Sequence, residues 1–95
     1  MTGDAAVARV IVPSMMRQLC RGAEVVEVEG ATLKEVIARL DVKCPGIREL
    51  LIENGSIRHH VAFFIDGVDA RSSGGLFAPV PEGAEIVIVP ALSGG

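Results

Sequence analysis

One amphipathic helix set among strand-like segments constrains this chain more than any other feature. Thr32-Leu-Lys-Glu35 has the form of a capping box, in which the Thr32 hydroxyl accepts from the Glu35 N–H and the Glu35 carboxylate reaches back. Leu33, Val36, Ile37 and Leu40 then recur at i, i+3, i+4 and i+7, a single apolar stripe. Pro45-Gly46 stops the helix. A lone helix with one such stripe has to lay it across a sheet.

The strands to build that sheet are legible by their period of two. Ala8 to Val12 alternates, with Ala8, Val10 and Val12 on one face and Arg9 and Ile11 on the other. After an Arg21-Gly22 turn, Val26 and Val28 alternate with Val25, Glu27 and Glu29, so the two strands read as a hairpin. Ile47 to Leu51 has the look of a short second helix, and Asn54-Gly55 of a turn. Val61 to Ile65 is a third strand, and Asp66-Gly67 turns it into a short return strand over Val68 to Ala70. Ser72 to Gly75 is a loop, Pro81-Glu-Gly83 a turn, and Ala84 to Val89 the last strand. The order β-β-α-(short helix)-β-β-β lets the first and last strands lie side by side and parallel, with the helix in the crossover. That is an α+β, β-grasp (ubiquitin-like) arrangement: a mixed sheet of about five strands with one main helix on one face. Residues 1–95 are expected to form this single domain, with 90–95 as a flexible tail.

Composition narrows the functional classes. The chain has 95 residues, 49% of them hydrophobic, which is enough for a core in one domain. Its formal charge is -3 and its Lys and Arg are not clustered, so neither nucleic acid nor an anionic membrane is an expected partner. No segment approaches the 18 or so apolar residues of a membrane span. The N-terminus lacks the basic and long apolar regions of a signal peptide, which predicts a cytoplasmic protein. In that compartment Cys20 and Cys44, whose spacing fits no metal or redox motif, are expected to be reduced packing residues. His59-His60, read as strand neighbours, would point to opposite faces and could not share an ion. No metal site, nucleophile–base pair or phosphate loop is evident, so a free-standing enzyme is not expected.

The end of the chain is its most functional-looking part. Val89-Pro-Ala-Leu-Ser-Gly-Gly95 passes from a strand to a proline and then to two glycines. Pro90 lacks an N–H and aims the residues after it away from the sheet. Gly94 and Gly95, without β-carbons, make the slimmest peptide available, able to thread a narrow tunnel and offer a carboxylate to a buried reagent. Extended, the segment from Pro90 to Gly95 reaches roughly 20 Å.

A β-grasp pattern with this ending resembles the bacterial ubiquitin-like sulfur carriers. These comprise the small subunit of molybdopterin synthase, the thiamine-pathway carrier and the carrier of a thiocarboxylate-dependent cysteine synthase. The likeness runs from about Val10 to Gly95. Within it, Asp69-Ala-Arg-Ser-Ser-Gly-Gly-Leu76 is similar to a loop of the cysteine-pathway carriers. The resemblance implies that an E1-like enzyme adenylates the Gly95 carboxylate, consuming ATP, and that sulfur replaces the adenylate to give a thiocarboxylate. A sulfur-accepting synthase in cysteine or molybdopterin biosynthesis then uses it. It implies no bound cofactor, and places the catalytic groups in the partners. A ubiquitin-like covalent modifier, joined to lysines through the same carboxylate, and a non-catalytic β-grasp interaction domain are the alternatives.

Face alternation adds a partner surface. If Val61, Phe63 and Ile65 face the helix, Phe64 faces outward. With Ile86 and Ile88 in the core, Val87 and Val89 face outward, as does Ile11. On the β-grasp strand order Ile11, Phe64, Val87 and Val89 are neighbours, an apolar cluster beside the tail that predicts a docking face. In the following loop, Gly74 and Gly75 serve a tight turn and Leu76 plugs the core, while Arg71 is free either to structure the loop or to meet an acidic group on a partner. The segment from Ile47 to His60 is long for such a fold and has no assigned role.

Overall fold

The computed structural model describes residues 7–90. The tail, with Gly94 and Gly95, lies outside the described residues.

Among the described residues, seven strands and two α-helices follow one another. They are β1 (Val7–Ile11), β2 (Val25–Glu29), α1 (Leu33–Lys43), α2 (Ile47–Leu51), β3 (Ile52–Glu53), β4 (Ser56–Ile57), β5 (Val61–Ile65), β6 (Val68–Asp69) and β7 (Glu85–Pro90). Five of the strands form one sheet in the order β2-β1-β7-β5-β6. β1 and β7 are parallel, and every other pairing in that sheet is antiparallel. The first and last strands therefore lie beside each other in the middle of the sheet. This is the β-grasp fold.

The helix forms where its sequence dictates. Thr32 caps it, accepting from the Glu35 N–H at 3.3 Å. Glu35 reaches back past Thr32 to the Ala31 N–H at 2.8 Å. The stripe of Leu33, Val36, Ile37 and Leu40 is fully buried in one core with Val10, Phe63 and Ile86 from the three central strands. Each such side chain removed from water contributes on the order of 1.5–3 kcal/mol, which fixes the helix on this face. Gly30 permits its close entry, because a β-carbon there would stand 2.8 Å from the Val36 backbone nitrogen. Asp41 then links α1 to α2, its carboxylate accepting from the Gly46 and Arg48 N–H groups at 3.2 and 3.0 Å.

The structure departs from the sequence reading at several places. β1 begins and ends one residue earlier than the alternation suggested, although Val12 is still buried. β1 and β2 do pair antiparallel, but a 3₁₀ helix over Ser14–Cys20 lies between them. Asn54-Gly55 is the tip of a second small sheet, β3 with β4, and both residues adopt the positive φ of a tight hairpin. Two more 3₁₀ helices, Ala70–Ser73 and Gly75–Phe77, span the loop read over Ser72 to Gly75, and Ala70, read as the end of the return strand, begins the first of them. Pro90 is not outside the sheet: it is the last residue of β7, in register with Val61.

The cysteines are the main correction. Cys20 and Cys44 are joined in a disulfide across 24 positions, with their Cα atoms 4.5 Å apart. Both are buried, at 6% and 0% exposure, as packing residues would be, but they are bonded rather than free thiols. Sequence spacing could not show this, because the 3₁₀ helix ending at Cys20 is what brings it beside the end of α1.

Candidate functional site

The sheet has one face under α1 and one open face, and the open face divides along its strands. Cross-strand partners project to the same side, so the register reads out its rows. One row runs Val25, Ile11, Val87, Phe64, Asp69 across five strands. Ile11, Val87 and Phe64 are half-buried by one another, and Val25 is 43% exposed at the edge. The next row pairs Ala62 with Val89, which is 42% exposed. Towards the start of β7 the same face turns charged, with Arg9 in register between Glu27 and Glu85. The apolar half is thus the half at the C-terminal end of β7, next to the last described residue before the tail.

Ile11, Phe64, Val87 and Val89 are therefore brought together on one face. Val25 extends the patch. Its outward position was readable from the alternation of β2, but that it faces Ile11 depends on register, which alternation does not fix. Gly94 and Gly95 fall outside the described residues.

Arg71 sits elsewhere. Its guanidinium donates to the carbonyls of Val61 and Arg58, both at 2.7 Å, and its backbone N–H donates to the Asp69 carboxylate at 2.9 Å. It ties the 3₁₀ segment to the start of β5, the strand position opposite Pro90. Among the described residues no carboxylate pairs with its guanidinium. Leu76 is half-buried against the core, while the next residue, Phe77, is 72% exposed. Phe77 was not singled out from sequence, where no periodicity marks its face.

His59 and His60 lie in a turn ahead of β5, not on a strand, with their rings edge-on and 5.4 Å apart. Strand alternation therefore does not govern where they point. Among the described residues no group of three or more His, Cys, Asp or Glu is placed to hold a metal. No helix among them is long and apolar enough to cross a membrane.

Comparison with known proteins gives this geometry a context. The model of the ThiS family matches residues 10–95. The sulfur carrier protein CysO of Mycobacterium tuberculosis is 33% identical over 89 residues, spanning 90% of this chain and 96% of that protein. Among solved structures, a chain of the BexX/CysO complex from Amycolatopsis orientalis superposes with a TM-score of 0.89 at 32% identity, covering 93% of this chain and 99% of its own. The small archaeal modifier protein 1 of Methanosarcina acetivorans shares the fold, with a TM-score of 0.81 at 24% identity, covering 98% of this chain and all of its own.

Proposed function

This chain belongs to the ThiS family, and from that membership we propose that it is a sulfur carrier whose Gly95 carboxylate is the reacting group. The observation that carries the proposal is that the family match runs through to Gly95, so the paired glycines are part of what is matched. The likeness to CysO, together with the Asp69–Leu76 loop, directs the proposal to cysteine biosynthesis ahead of molybdopterin synthesis.

The chemistry follows from the weakness of a carboxylate as an electrophile. A carboxylate oxygen of Gly95 attacks the α-phosphorus of ATP in an E1-like partner, pyrophosphate leaves, and an acyl-adenylate forms. Sulfide, the simplest sulfur donor, then attacks the acyl carbon and AMP departs, leaving a thiocarboxylate. Its soft, ionised sulfur is the nucleophile in a sulfur-accepting synthase. The carrier acts as a co-substrate, and the residues that polarise ATP and the acceptor belong to its partners.

The fold contributes a firmly held strand that ends at Pro90 and an apolar surface at the end of that strand. β7 is held by β1 as far as Val87 and by β5 as far as Pro90. The apolar row of Ile11, Val87 and Phe64, with Val89 in the next row, offers the activating enzyme a contact that excludes water at the end of β7.

The test is the intact mass after incubation with the E1-like enzyme of the host, Mg-ATP and sulfide. Exchange of the carboxylate oxygen for sulfur adds about 16 Da, the product that nucleophilic transfer requires. A variant lacking Gly94 and Gly95 is expected to show no gain and no ATP–pyrophosphate exchange. Undiminished adenylation of that variant would overturn the proposal.

A further inference from the structure

Of the three phenylalanines, Phe63 is buried and Phe64 lies in the apolar row, whereas Phe77 stands 72% exposed. Its position is nevertheless well fixed. Gly74 and Gly75 take positive φ values of 112° and 62°, and the Phe77 and Ala78 N–H groups donate to the carbonyls of Gly74 and Gly75, each at 3.0 Å. Residues 78–80 are then held by the entry to α1, through Leu33 N–H to the Ala78 carbonyl and Val80 N–H to the Ala31 carbonyl.

Two clefts flank this aromatic ring and share Leu76, Phe77 and Gly55 as walls. One, of about 290 Å³, runs along the β4 side to Arg71. The other, of about 130 Å³, runs towards α1 between Lys34 and Arg48. The charged residues in the two linings are Lys34, Arg48 and Arg71, with no carboxylate among them. None of the three is ion-paired among the described residues, and the Lys34 ammonium lies 5.9 Å from the centre of the Phe77 ring. In a chain with a formal charge of -3 this is a local reversal of sign around an exposed aromatic.

We infer that these clefts form a second docking surface, whose occupant is an acidic segment of a partner protein bearing an apolar side chain to cover Phe77. Carboxylates on the segment would meet Lys34, Arg48 and the remaining donors of Arg71, a complementarity that steers encounter and sets register. An apolar anchor against Phe77 would supply the desolvated centre that such an interface needs. Nucleic acid fits less well, because three cations and one ring on an acidic protein make neither a phosphate track nor a stacking platform. The surface is distinct from the open sheet face. It nonetheless reaches towards the end of β7, since Arg71 binds the carbonyl of Val61 and Val61 is in register with Pro90. One partner can therefore span this cleft and the end of β7.

The inference needs the folded domain and not the sulfur chemistry, so the two can fail separately. The test is amide chemical-shift titration of the full-length chain with an acidic octapeptide carrying a central leucine–phenylalanine pair. A lysine-substituted counterpart and a short oligothymidylate serve as comparison probes. Saturable shifts at Lys34, Gly55, Gly75 and Phe77 with the acidic peptide alone are expected. Reversing two charges with Lys34→Glu and Arg48→Glu, or truncating Phe77→Ser, should weaken binding by about tenfold or more. Spectra of the free variants verify their fold, and removal of Gly94 and Gly95 should leave the binding unchanged. Absent shifts, equal shifts with the lysine peptide, or preference for the oligonucleotide would overturn the inference.

Discussion

The open face of the sheet and the cleft around Phe77 are both exposed apolar surfaces, yet they are built in opposite ways. On the sheet, Ile11, Val87 and Phe64 come from three different strands and are aligned by ladder hydrogen bonds, so each is half-covered by its neighbours. In the cleft, Phe77 is a single ring raised by two left-handed glycines and ringed by cations. The first surface is broad, flat and uncharged at its centre, and the second is narrow and positively charged. Two surfaces of such different character suit two different partners, as the proposed carrier cycle, with an activating and an accepting enzyme, requires.

The largest expected effect tests whether the two regions share one cooperative unit. Cys44→Ser opens the disulfide that closes a loop of 24 positions, and should cost about 3–4 kcal/mol of stability, read by urea unfolding. Hydrogen exchange on that variant should rise at 61–65 and 74–77 by the same factor. A larger rise at 74–77 would make the cleft the less stable part. Next comes Phe64→Asp, which places a charge in the middle of the apolar row. It should stay folded, because Phe64 is not in the core, and weaken binding to the activating enzyme by about 2 kcal/mol, roughly thirtyfold. Undiminished binding in a calorimetric titration would remove the sheet face from that contact.

Arg71→Met separates structure from recognition in the loop. It deletes two charge-assisted hydrogen bonds to backbone carbonyls near the surface, so a loss of about 1–2 kcal/mol is expected in thermal unfolding. No change would mean that Arg71 serves a partner only. The smallest effect belongs to Phe77→Ser, which should alter stability by no more than about 0.5 kcal/mol, because an exposed ring contributes little to the fold. A loss of several kcal/mol there would show the ring to be a core residue and would erase the contrast between the two surfaces.

How well each region could be read from sequence tracks the same division. The sheet face was legible because strands alternate strictly: once Phe63 and Ile86 face inward, Phe64 and Val87 must face outward. The helix was legible because its cap and stripe are local. Residues 70–77 gave no comparable signal. They form 3₁₀ turns too short for a period, and the direction of Phe77 is set by Gly74, Gly75 and the docking of 78–80 on α1. The disulfide was hidden for a related reason, because the irregular turn at Ser14–Cys20 brings its two ends together. The two histidines were misread as strand neighbours although the strand was read to begin at Val61; they form the turn ahead of it.

The central position of β7 has a mechanical consequence. A partner that draws in the tail pulls on residue 90 along the axis of this strand, whose register pairs with β1 and β5 stand crosswise to that pull. A pull along the strand axis loads the β5 ladder, which runs to Pro90, in shear, and the β1 ladder, which runs to Val87, shares that load further along the strand. An edge strand in this position would meet the same force with one ladder where β7 has two. Residue 90 is thus fixed to a strand that the domain holds through two ladders.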